Sequence, residues 1–168
     1  MRVLRLSFAV AVLMTSVGCV SLQPRLPKDT TPSASSAYVG VLGKKDTIAN
    51  FGFGLVDDAK HEFIIPLEND LRLVQLPPGR YRVASWLTFA FTGEKITTKA
   101  LPADVPLARP FEVGGGAVVI IGTFNADRSM NTFWMDPVPM SAGEATTAVR
   151  TAYQGFAEAP VTCLTCAP

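Results

Sequence analysis

From residue 38 onward apolar and polar positions alternate in short runs with a period of two, and only near the end does the spacing lengthen to that of a helix. The pattern predicts a body of strands with one helix laid against it. Tyr38 to Leu42 is a short apolar run. Ile48 to Val56 sets Phe51, Phe53 and Leu55 on one side and Gly52 and Gly54 on the other. Asp57, Asp58, Ala59 and Lys60 make a turn whose partner strand is Glu62 to Leu67. Asn69 and Asp70 punctuate the chain before Leu71 to Leu76.

The clearest strand signal is LPPGRYRVASWLTFAF, Leu76 to Phe91. Pro77 and Pro78 fix φ, and Gly79 is expected to supply the positive φ of a type II turn. Strict alternation then puts Tyr81, Val83, Ser85, Leu87, Phe89 and Phe91 on a buried face. Arg80, Arg82, Ala84, Trp86, Thr88 and Ala90 fall on a polar one. After a turn at Thr92 to Lys95, Ile96 to Leu101 pairs back. Pro102, Pro106 and Pro110 interrupt the connection to Phe111 to Val113. Gly114, Gly115 and Gly116 then read as a flexible turn into the strand Ala117 to Phe124, because no Lys-Ser or Lys-Thr and no helix follows to make a phosphate cradle. Ser141 with Glu144 forms a capping box. Behind it Ala145, Ala148, Val149, Ala152, Tyr153 and Phe156 recur at helical spacing until Gly155 and Pro160 end the helix.

The first residues follow a different pattern. Arg2 and Arg5 precede an apolar stretch from Leu6 to Met14, broken only by Ser7 and too short to span a bilayer. Thr15, Ser16, Val17 and Gly18 then lead to Cys19. This charged, apolar and small-residue series resembles the lipobox signal of bacterial lipoproteins, with Ser16 where that family usually has leucine. The resemblance implies cleavage after Gly18 and a diacylglycerol on the Cys19 thiol, with further acylation of the new amino group. Several acyl chains together hold a protein on a membrane where one does not. Val20 and Ser21 follow, with no aspartate of the inner-membrane retention kind, so the resemblance favours the outer membrane. From Ser21 to Ala37 the composition, with Pro24, Pro27 and Pro32 among serines and threonines, reads as a flexible tether.

The expected organisation is therefore a signal peptide over residues 1–18, a lipidated N-terminus and tether over 19–37, a single small antiparallel β-sandwich over 38–140, and a C-terminal helix and tail over 141–168. Cleavage after Gly18 removes two of the 15 basic residues and none of the 14 acidic ones, leaving 13 against 14. A near-neutral body without a basic stripe gives no electrostatic reason to expect nucleic acid.

Candidate chemistry is sparse. Cys163 and Cys166 form a C-x-x-C pair that an exported chain can hold as a disulfide or as idle thiols. Neither a helix start for redox work nor the four ligands of a zinc site accompanies it, and His61 is the one histidine. No cofactor or metal is expected. His61 lies among Asp57, Asp58 and Glu62, and Glu68 and Asp70 also fall at predicted turns. No G-x-S-x-G or H-E-x-x-H motif supports a hydrolase built on them. Trp86, Phe133 and Trp134 are the candidate contact surface.

The turn and strand Leu76, Pro77, Pro78, Gly79, Arg80, Tyr81, together with the run from Phe111 through Ile121 and Gly122, resemble small lipoproteins of unknown function with a prealbumin-like β-sandwich. That resemblance implies a fold and transfers no catalytic residue. The leading expectation is a non-enzymatic envelope lipoprotein that contacts another envelope protein. A module for a ligand or carbohydrate is the alternative, and a hydrolase is the third reading.

Overall fold

The computed structural model describes residues 20–45, 47, 49–129 and 132–167. The predicted signal peptide, with Gly18 and Cys19, lies outside the described residues. In chain order the elements are β1 (Val20–Leu22), β2 (Ala37–Lys45), β3 (Asn50–Asp57), β4 (Glu62–Leu67), β5 (Arg72–Leu76) and β6 (Gly79–Phe89). They continue with β7 (Lys95–Ala100), β8 (Phe111–Val113), β9 (Val118–Ser129), β10 (Thr132–Val138), α1 (Ala142–Ala152) and β11 (Val161–Cys163).

The strands form two facing sheets, which is the mainly β sandwich with one helix that the alternation predicts. The first sheet runs β1-β4-β3-β6-β7, with β8 beside the start of β6. The second runs β10-β9-β2-β5, with β11 beside β9. Pairing is mostly antiparallel, but β1 with β4, β2 with β9 and β11 with β9 are parallel. Between the sheets Phe51, Phe53 and Leu55 meet Val39, Val119, Phe124 and Met135, all buried. The rings of Phe53 and Phe124 lie 4.8 Å apart across this interior. Each such side chain contributes about 1.5–3 kcal/mol by leaving water, so this interface is the principal stabilising contact.

The outer face of the second sheet is covered by α1. Ser141 accepts from the Glu144 amide at 3.2 Å, and the Glu144 carboxylate accepts from the Ser141 amide at 2.8 Å, as the predicted capping box requires. Those backbone and side-chain bonds from Ser141 hold the Glu144 carboxyl below its usual range. Ala145, Val149, Tyr153 and Phe156 then pack on Tyr38, Leu73, Val118 and Ile120.

Five features depart from the sequence reading, each for a local physical reason. At Leu76 to Gly79 there is no hairpin turn. β5 belongs to one sheet and β6 to the other, so Pro77 and Pro78 carry the chain between sheets. Gly79 is the first residue of β6, paired with Val113, and is not among the positive-φ glycines.

Within β6, Gly54 faces Ser85 and Leu55 faces Val83, so Ala84 is an extra residue. A one-residue bulge turns every later side chain over. Tyr81 and Val83 face the interior as expected, but beyond the bulge Trp86 faces it and Leu87 and Phe89 do not. Those two instead join Ile64 and Leu22 on the outer face. Gly52 and Gly54 leave room there, since a Cβ on Gly52 would lie 3.2 Å from the Phe89 ring.

A second bulge lies in β9. Gly40 faces Ile120 and Leu42 faces Thr123, so β9 carries one residue more than β2. Gly122, at φ +149°, absorbs it, and its missing Cβ would sit 2.0 Å from Thr165 Oγ1. Val119 and Ile121 point inward before the bulge, and Phe124 and Ala126 after it.

The glycine run is the expected turn, closed by the Ala117 amide donating to the Gly114 carbonyl at 3.2 Å, but it is packed rather than loose. A Cβ on Gly115 would lie 1.8 Å from the Ala34 carbonyl oxygen, and Gly116 adopts φ +76°. Ala34 belongs to the stretch expected to be a flexible tether, which lies along the body instead. β1 pairs with the edge of β4, the Leu26 amide donates to the Leu73 carbonyl at 2.8 Å, and Arg25 pairs with Asp70. Low apolar content was a poor guide because Leu22 and Leu26 each find an existing apolar cluster, while the backbone is satisfied by strand edges.

Candidate functional site

The two bulges have a joint result. They bring Trp86 from one sheet and Phe124 from the other to a single apolar cleft of 540 Å³. Its rim is supplied by the connection after β7, with Leu101, Pro102, Val105, Pro106 and Leu107, where a single 3-10 turn runs over Pro106–Ala108. Pro137 at the end of β10 and the loop Leu164, Thr165, Cys166 complete the wall. The prolines place rigid apolar surface at low entropic cost, since their φ is already fixed.

Cys163 and Cys166 are joined in a disulfide. The loop they close is seated by the Leu164 amide donating to the Ile120 carbonyl at 2.9 Å and by Thr165 Oγ1 donating to the Ile121 carbonyl at 3.1 Å. The pair thus shapes one lip of the cleft at the β9 bulge.

Trp86 is half-buried and lines the cleft together with the proline rim. Its indole N–H is buried and meets no acceptor among the described residues. Leaving a buried donor unpaired costs about 1–3 kcal/mol, so this tryptophan is placed at some expense to stability.

The other predicted contact residues do not join it. Phe133 is only 1% exposed and belongs to the core, 6.2 Å from the Phe51 ring, with Lys99 Nζ 4.6 Å above its own ring centroid. It is therefore not a contact surface: strand alternation turns it inward and sends its neighbour outward. Trp134 is that neighbour, 38% exposed and opposite Asp127, away from the cleft lining. The proline connection and Phe124 were the residues sequence reasoning passed over. Pro102 and Pro106 look like mere breakers, and nothing in a single sequence marks a bulge at Gly122 except the glycine itself.

His61 closes the β3–β4 turn. Its amide donates to Asp57 Oδ1 at 2.8 Å, its Nδ1 lies 2.8 Å from Asp57 Oδ2, and its side chain is 62% exposed. Partial burial opposes ionisation of Asp57, but the side-chain and backbone bonds from His61 outweigh it and hold the carboxyl below its usual range. This is a solvated turn held by internal hydrogen bonds between His61 and Asp57. Among the described residues no three His, Cys, Asp or Glu side chains cluster to hold a metal, and no helix is long and apolar enough to cross a membrane. No family model, curated protein or solved structure matches the chain.

Proposed function

We propose that this chain is a lipid-anchored, non-enzymatic binding module of the bacterial cell envelope, held at Cys19 and favouring the outer membrane. Its recognition element is the apolar cleft beside Trp86, and its partner is an envelope protein that presents an apolar segment. The observation that supports this most is the convergence of Trp86 and Phe124, through two separate bulges, on one proline-rimmed cleft. A half-buried aromatic among apolar rim residues is the usual anchor of a protein contact. The prealbumin-like resemblance of the Leu76 to Tyr81 segment belongs to the same reading.

A small apolar ligand is the second reading, favoured by the volume of 540 Å³, which falls in the range of small-molecule sites. A photoreactive amino acid in place of Leu101, in the full chain expressed in a bacterium with a lipoprotein pathway, separates the two. A discrete crosslinked protein that disappears with Trp86→Ala supports the first. An apolar compound released from the membrane-extracted protein in native mass spectrometry, with no crosslinked protein, moves the function to the second. Intact mass of wild type and Cys19→Ser tests the anchor itself: a soluble chain carrying no diacylglyceryl mass overturns it.

A further inference from the structure

On the outer face of the first sheet the β6–β7 hairpin bends back over β1. A Cβ on Gly93, at the hairpin tip, would lie 3.1 Å from the Leu22 side chain. Lys95 at the start of β7 pairs with Glu62, the residue that stands opposite Val20 in the β1–β4 ladder. The tip is thus held against the strand that directly follows Cys19.

That tip carries the two most exposed large apolar side chains of the described residues, Phe91 at 91% and Ile96 at 58%. Both line a shallow groove with Arg128 of β9, which sets a cation beside the apolar pair. Apolar groups flanked by a cation suit the boundary between acyl chains and anionic headgroups. A tip held against Leu22, three residues along the chain from the lipid-bearing position, has only a short distance to reach that boundary.

We infer that the β6–β7 hairpin tip is a second membrane contact, in which Phe91 and Ile96 enter the acyl boundary beside the lipid on Cys19 and Arg128 meets phosphate. The inference rests on the lipid anchor proposed above. Together the two attachments fix the orientation of the domain, which a lipid at one point leaves free to turn.

The test places one environment-sensitive fluorophore on a Phe91→Cys chain, with Arg150→Cys on α1 as the comparison, since Cys163 and Cys166 are already paired. Full-length protein is reconstituted in vesicles of phosphatidylethanolamine and phosphatidylglycerol, and wild type labelled in parallel gives the background from any other thiol. Quenching by a shallow nitroxide lipid at least about twofold greater at position 91 than at 150, with matching protection from aqueous iodide, is the expected result. A label at position 91 as open to iodide as the one at 150, on a chain bearing the diacylglyceryl mass, overturns the inference while leaving the anchor intact. Protection from iodide that grows with protein concentration and shows no lipid quenching assigns the tip to a second copy and also overturns it. If intact mass shows no lipid, the anchor reading fails by itself: lipid quenching at position 91 still supports the hairpin contact, and its absence overturns that as well.

Discussion

The Tyr81 hydroxyl donates to the Pro77 carbonyl at 2.5 Å, tying the first inward side chain of β6 to the prolines that carry the chain out of the other sheet. The bond spans four residues and so fixes the angle at which β6 enters its sheet.

Tyr81→Phe keeps the ring and removes this bond. It is expected to lower stability by about 1 kcal/mol in urea unfolding, with the fold unchanged by circular dichroism. Burial pushes the Tyr81 phenol up, and the charge of Asp57 adds to the effect. The contribution is therefore complete below the ordinary tyrosine value of about 10 and is lost as pH rises through the higher folded value. The alkaline fall in stability should be shallower in Tyr81→Phe than in the wild type, and equal slopes would show that another group carries it.

Two adjacent glycines should behave differently. Gly115→Ala drives a methyl into the Ala34 carbonyl and is expected to cost about 1–3 kcal/mol. Amide exchange at Ser36, which donates to Ser33, should quicken with it. Gly114 has nothing within 4 Å of its Cβ position, so Gly114→Ala should fall within about 0.5 kcal/mol of wild type.

Reduction of Cys163 and Cys166 opens a loop with a sequence separation of only three. Chain entropy limits the loss to about 2 kcal/mol, too little to unfold a domain of this size. Thiol alkylation with both cysteines reduced should leave the far-ultraviolet spectrum intact. Proteolysis should become faster around Leu164, on the lip of the cleft.

At Trp86 the orphaned N–H and the ring can be separated. Trp86→Phe removes the donor and most of its cost, so thermal stability should stay level or rise slightly while partner binding weakens. Trp86→Ala empties part of a half-buried site and is expected to cost about 2 kcal/mol, read by calorimetry. A large loss in Trp86→Phe would mean that the indole N–H has an acceptor after all.

Side-chain period, read with local turn and capping chemistry, placed most strands, the β3–β4 hairpin and the capped helix. It failed beyond Val83 and misplaced Trp86, since one extra residue at Ala84 reverses the faces and leaves no mark on composition. Phe133 and Trp134 are neighbours of the same chemical type, and only the register of β10 on β9 decides which is inside. The cleft was illegible for the same reason: Trp86, Phe124 and Leu164 are far apart in sequence and meet only through pairing. The stretch after Ser21 misled in the other direction, since edge backbone bonds hold a chain whose composition suggests freedom.

The parallel pairing of β2 with β9 sets Tyr38 beside Val118, and these strands are the middle of the second sheet. Until the two distant stretches meet, the β2–β5 and β9–β10 pairs stay separate halves of the sheet, and α1 lacks the joint surface of Tyr38, Leu73, Val118 and Ile120 that it covers. Loop closure of that size comes before most of the contacts that reward it, so the chain should collapse late and nearly all at once, on the millisecond-to-second scale of β-rich domains. Almost the whole chain must be present before the two halves of the second sheet can close into one.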